Sequence, residues 1–137
     1  MVGGQTGPQS GKGLSSLGGT ERDRAEGAWK IAKERSKEHW FKQYRNLVKG
    51  SASLVMSNGL ISALAYYNTR SGATNDTKEA AKKLAEDIAS FALPGTSDAA
   101  NALDKLVKLK SRHYMLATNE VLANLRWLRQ LVDAVGD

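Results

Sequence analysis

Between Tyr114 and Val135 the side chains that could face a core return at alternating steps of four and three. They are Tyr114, Thr118, Val121, Leu125, Leu128, Val132 and Val135. Such a heptad-like stripe predicts one long helix with a single buried side. A helix of that kind must be covered by other elements. The rest of the chain offers only helices to do it, because no segment alternates with period two in β-branched residues.

Each covering segment carries its own stripe. Thr20 opens the first helix as a cap, with Asp23 three residues on as an acidic capping box and Glu21, Asp23 and Glu26 near the positive end of the helix dipole. Ala25, Ala28, Trp29 and Ala32 form its apolar side. Ser36 starts a second segment, whose stripe is Trp40, Phe41, Tyr44, Leu47 and Val48, and Gly50-Ser51 weakens it locally. Leu54, Val55, Leu60, Ile61, Leu64 and Ala65 form the buried side of a third. "TRSGATND", Thr69 to Asp76, reads as a loop. Asp76 and Glu79 then make a capping pair for a helix holding Ala80, Ala81, Leu84, Ile88 and Phe91. "LPG" at Leu93–Gly95 stops it. Thr96 or Ser97 caps a short helix with Ala99, Leu103, Leu106 and Val107.

"MSNGLISALAYY" contains a local conflict. Asn58-Gly59 is a hairpin signal, since both residues tolerate positive φ. The flanks, however, have helical period. The stretch therefore reads as a joint: one helix ends or kinks near Ser57–Gly59 and the next carries Leu60 to Tyr67. Gly59 supplies either a permissive backbone angle or a close helix approach, and the first is favoured.

Residues 1–19, "MVGGQTGPQSGKGLSSLGG", are rich in Gly and Ser and hold too little apolar surface to offset chain entropy. They read as a flexible, disordered tail. Their "GPQSGKG" lacks the spacing and the preceding strand of a phosphate loop. The expected fold is thus all-α: one domain over 20–137, a compact bundle of five or six helices. No apolar run reaches the ~18 residues that span a bilayer. No signal-peptide core opens the chain, so a cytoplasmic protein without a membrane partner is expected.

The chemistry-bearing residues form no catalytic constellation. Cysteine is absent from the chain, which excludes disulfides and thiolate zinc sites. His39 and His113 have no carboxylate or second histidine at helical ligand spacing. Acidic residues are interleaved with Lys and Arg, as on a solvated face. No enzyme activity, metal or cofactor is expected.

Charge is more informative. The net charge is +6, and residues 20–50 hold nine basic against five acidic side chains. Lys30, Lys33 and Lys37 fall at i, i+3 and i+7. So do Lys42, Arg45 and Lys49, and again Lys105, Lys108 and Arg112, while Arg126 and Arg129 share a side of the last helix. Each set is either a solvated face or a track for a phosphate backbone. Convergence of several sets on one surface favours the track. Of the aromatics, Trp29, Trp40, Phe41, Tyr44, Tyr67 and Tyr114 sit within apolar stripes and read as core. Tyr66 and Trp127 fall off the stripes and are the candidates for contact with a partner.

"YRNLVKGSASLVMSNGLISALAYYNTRSG", Tyr44 to Gly72, resembles the hallmark of the small subunit of the type III-B CRISPR Cmr complex: a tyrosine, a spacer, then Asn-Gly-Leu and a short apolar helix. "YMLATNEVLANLRWLRQLVDAV" is similar to that family's closing helix, through Tyr114, Thr118, Glu120, Leu125, Trp127, Leu128 and Arg129. The resemblance spans roughly Glu21 to Val135. It departs at Lys49–Ala52, where family members often place a proline.

The resemblance implies a non-catalytic protein in antiviral defence, cleavage being the task of other subunits. Its implied partners are the other Cmr subunits, further copies of itself stacked head to tail, and the guide RNA and target RNA. Within that frame the expected RNA-backbone residues are Lys42, Arg45, Lys49, Arg126 and Arg129, then Lys30, Lys33, Lys37, Lys105, Lys108 and Arg112. None of these is a contact carried over from the family. The competing expectations are the analogous small subunit of another type III complex and a generic helical adaptor that binds protein alone.

Overall fold

A computed structural model describes residues 20–70 and 74–136. The expected tail over 1–19 and the middle of the expected loop, 71–73, lie outside the described residues. Six helices and no strand occur among the described residues: α1 (Glu21–Arg35), α2 (Phe41–Asn58), α3 (Leu60–Asn68), α4 (Asn75–Ala92), α5 (Ala99–Leu106) and α6 (Ser111–Ala134).

Local chemistry sets the boundaries. Thr20 forms the expected capping box: its hydroxyl accepts from the Asp23 N–H, and Asp23 accepts from the Thr20 N–H. Ser36 does not open a new segment. It closes α1, donating its hydroxyl to the Lys33 carbonyl at 2.7 Å. Gly50-Ser51 does not interrupt α2, which runs on to Asn58 with Ser51 buried and bonded to the Val48 carbonyl. The α4 cap is Thr74, which accepts from the Thr77 N–H, two residues before the expected Asp76. Asp98, rather than Thr96 or Ser97, caps α5 by accepting from the Ala100 N–H. Runs of several capping-type residues, Thr74–Asp76 and Thr96–Asp98, made these starts ambiguous.

The joint falls at Gly59. Its φ of 92° and ψ of 158° lie in a region open essentially to glycine alone. Its N–H closes α2 on the Val55 carbonyl, and its own carbonyl accepts from Ala63 in α3. The favoured reading of Gly59 therefore holds. The close approach is present too: a Cβ here would lie 3.7 Å from the Tyr114 hydroxyl, an ordinary contact. That hydroxyl accepts the Ile61 N–H at 3.1 Å, one of the donors left over at the start of α3. Gly59→Ala has space but not the backbone angle, so it should cost about 1–3 kcal/mol. Urea unfolding of the two proteins measures this.

α6 packs against α1, α2 and α4, and α3 packs against α2, α4 and α5. The long stripe behaves as expected: Val121, Leu125, Leu128 and Val132 are buried, with Tyr114, Thr118 and Val135 at its half-buried margins. α4 is the most enclosed helix, with Ala80, Ala81, Leu84, Ala85, Ile88 and Ala89 fully buried. Two stripe assignments fail. Trp29 sits on the outer side of α1 with the Lys33 ammonium over its ring. Val107 lies past the end of α5 and is exposed.

Candidate nucleic-acid interface

Two of the basic sets survive as single helical faces. Lys42, Arg45 and Lys49 all lie on α2, in a stripe that borders the buried one of Phe41, Tyr44 and Val48. Lys42 and Lys49 are exposed, and Arg45 is half-buried with its guanidinium over the Phe41 ring at 5.7 Å. Arg126 and Arg129 are exposed on α6. Asp133 continues their stripe at i+7 and reaches Lys49 at 3.5 Å. That ion pair brings the two stripes onto one face. α2 and α6 run antiparallel there, since Lys49 meets Asp133 while Ile61, beyond the other end of α2, meets Tyr114.

The other two sets do not form faces. α1 ends at Arg35, so Lys37 leaves Lys30 and Lys33 for the turn that follows. Lys30 also approaches Glu26 at 4.0 Å. Lys105, Lys108 and Arg112 fall on α5, the following turn and α6 respectively, and Lys108 pairs with Asp104. Periodicity alone could not reveal that both runs cross a helix end.

The partner candidates also divide. Tyr66 is exposed, with the Arg70 guanidinium over its ring at 5.5 Å and the buried Tyr67 ring edge-on beside it. Trp127 is half-buried, and its indole N–H donates to Glu21 at 3.2 Å, so it holds α6 to α1. Its position off the heptad stripe marked this second helix contact. Of the other aromatics, Trp40, Phe41, Tyr44 and Tyr67 are core, as expected. Burial pushes the Tyr67 phenol up to about 12.

Polar anchors beneath these faces escaped the sequence reading. Asp87 is buried on α4. It accepts two bonds from the Arg35 guanidinium, at 2.6 and 3.1 Å, and a third from the Tyr44 hydroxyl at 2.6 Å. Burial pushes the Asp87 carboxyl up, and the bonds from Arg35 and Tyr44 only partly pull it back. Burial also raises the Tyr44 phenol well above its ordinary value. For Arg35 burial disfavours the charge, but its bonds to Asp87 outweigh that and raise its pKa. The cluster fixes the ends of α1 and α2 against α4. A charged residue at 87, within the stripe of Leu84, Ile88 and Phe91, was the available signal.

A second anchor joins α1 to α6, where Arg24 donates two bonds to Glu120, which also accepts from Asn124. A shallow cleft beside it is lined by Asp23, Ser90, Phe91 and Pro94. His39 meets a carboxylate after all, Asp76 at 3.1 Å from across the fold. Among the described residues no group of three or more His, Cys, Asp or Glu could hold a metal ion. No helix among them is long and apolar enough to cross a membrane.

Comparison with known proteins agrees with this architecture. No curated protein matches the chain. A solved structure described as a CRISPR-associated Cmr5 family protein from Thermus thermophilus superposes with a TM-score of 0.69 at 24% identity. The match covers 85% of this chain and 97% of that one, and shows a shared fold. The sequence profile of the CRISPR-associated protein family Cas_Cmr5 matches residues 20–135. The chain therefore belongs to the Cas_Cmr5 family, the small subunits of the type III-B CRISPR Cmr complex.

Proposed function

We propose that this chain is a non-catalytic building block of a Cmr effector, repeated in stacked copies along the guide RNA, that holds RNA by its phosphates through the α2–α6 face. The observation that carries the RNA part is the meeting of two basic stripes at Lys49 and Asp133. Lys42, Arg45, Lys49, Arg126 and Arg129 act there as backbone contacts. Lysine and arginine at helical pitch neutralise phosphates without reading bases. Sequence choice is then left to base pairing, as in other guided systems. Lys30, Lys33, Lys37, Lys105, Lys108 and Arg112 are a second rank, because their sets are broken between elements. Stacking of copies is part of the proposal, supported by the family resemblance and by no contact in the fold. Residues 20–137 work as one helical domain in this role, in the cytoplasm, and no cofactor is required.

A protein-only adaptor is the second reading. It is favoured by exposed apolar side chains away from the basic face, Tyr66, Val107 and Leu116. Native mass spectrometry of the complex purified from its own source separates the two. The proposal expects several copies of this chain in particles that contain RNA and other Cmr subunits. Particles with protein partners and no RNA favour the adaptor.

A further inference from the structure

One carboxylate stands among the cations of the α2–α6 face. α2 holds no acidic residue, and α6 holds two. Glu120 is turned to α1, where Arg24 donates to it. Asp133 is turned to the face, in line with Arg126 and Arg129, and lies 3.5 Å from the Lys49 ammonium. Its place is unfavourable for the helix that carries it. It sits in the last turn of α6, where the dipole disfavours negative charge and no basic residue of that turn offsets it. Nor is the pair a strong clasp between the two helices. The side chains of Lys49 and Asp133 are 43% and 55% exposed, and a pair so open to water contributes little to stability. The fold therefore gives no reason for a negative charge at this point.

Resting on the RNA reading above, we infer that Asp133 is a built-in competitor for the strand: it holds Lys49 in the free protein, and a phosphate must displace it to bind there. The chemistry is an exchange of one oxyanion for another. Lysine is a compact charge with three donors on a flexible stem, so Lys49 can turn from one acceptor to the other while both helices stay in place. Both partners reach water, which leaves the ammonium open to an incoming phosphate. An exposed lysine gains about as little from a carboxylate as from a single phosphate, so the exchange is near balance. Lys49 then adds little to the grip of any one copy until Asp133 is neutralised. The affinity of each copy is held down, and firm binding needs several contacts made together along one strand.

Asp133→Asn keeps the size of the side chain and removes its charge. Affinity for a single-stranded oligoribonucleotide is measured at low salt on the assembled complex. The proteins compared are the parent, Asp133→Asn, Lys49→Gln and the double variant, with Lys42→Gln as a probe of the face alone. Circular dichroism checks the fold of each, and native mass spectrometry counts its copies. Asp133→Asn should tighten binding about two- to five-fold for each copy that meets the strand. The deciding quantity is the cost of Lys49→Gln. It should be larger by the same factor when Asp133→Asn is also present, because Lys49 then has no pair to break. An equal cost with and without Asp133→Asn overturns the competition, while a loss for Lys42→Gln leaves the RNA face standing. Weaker binding for Asp133→Asn also overturns it, since the carboxylate would then be aiming Lys49 at the strand. A gain that comes with extra copies of the chain belongs to contact between copies, and so overturns it as well. If neither Lys42→Gln nor Lys49→Gln changes the affinity, the RNA face and its competitor fall together.

Discussion

Asp87→Ala should lower the unfolding free energy by about 3–5 kcal/mol, the range for stripping one partner from a buried ion pair. The carboxyl is the shared acceptor of Arg35 and Tyr44, and the two side chains of the ion pair are only 6% and 17% exposed. Its loss leaves a guanidinium and a phenol buried at the junction of α1, α2 and α4. The ion pair itself is a weak source of net stability, because two charges had to leave water. The double variant Arg35→Met with Asp87→Leu should therefore recover most of the loss. Denaturant unfolding at neutral pH measures both. A loss under about 1 kcal/mol for Asp87→Ala means that Arg35 finds water and the cluster does not pin α4.

The second large effect concerns function. Lys42→Glu, Arg45→Glu and Lys49→Glu together should weaken RNA binding of the assembled complex roughly 10- to 100-fold at low salt. This takes up to about 1 kcal/mol for each exposed charge contact. Arg126→Glu with Arg129→Glu should weaken it in the same direction. Lys49→Glu also faces Asp133, so assembly of each variant is checked before binding is read. Lys37→Glu with Lys108→Glu is the control: those residues left their helices and should matter less. Reversal of the control having the larger effect would move the RNA face elsewhere.

How much of this was legible in the sequence depends on whether the cause was local. The α6 stripe, the Thr20 capping box and the Gly59 joint were readable because each is fixed by residues within a turn or two. Caps were misplaced where several capping residues stand in a row, as at Thr74–Asp76. The departure from the family pattern at Lys49–Ala52, where a proline is often found, left the position of the helix break open. The helix simply continues there, and the break waits for Gly59. The candidate site was half legible. Helical spacing placed Lys42, Arg45 and Lys49 together, and Arg126 with Arg129. It could not show that Lys49 and Asp133 join the two stripes, nor that Lys37 and Lys108 fall in turns. It also could not pair Arg35 with Asp87 or Arg24 with Glu120, because those partners are brought together only by packing.

The most direct test of the α2–α6 face is the salt dependence of RNA affinity in the assembled complex. Log affinity is plotted against log salt for the parent and for the Lys42, Arg45 and Lys49 reversal. Three lost phosphate contacts to a single strand should make the variant's slope shallower by about 2. Parallel lines, with affinity and assembly both unchanged, would contradict the account.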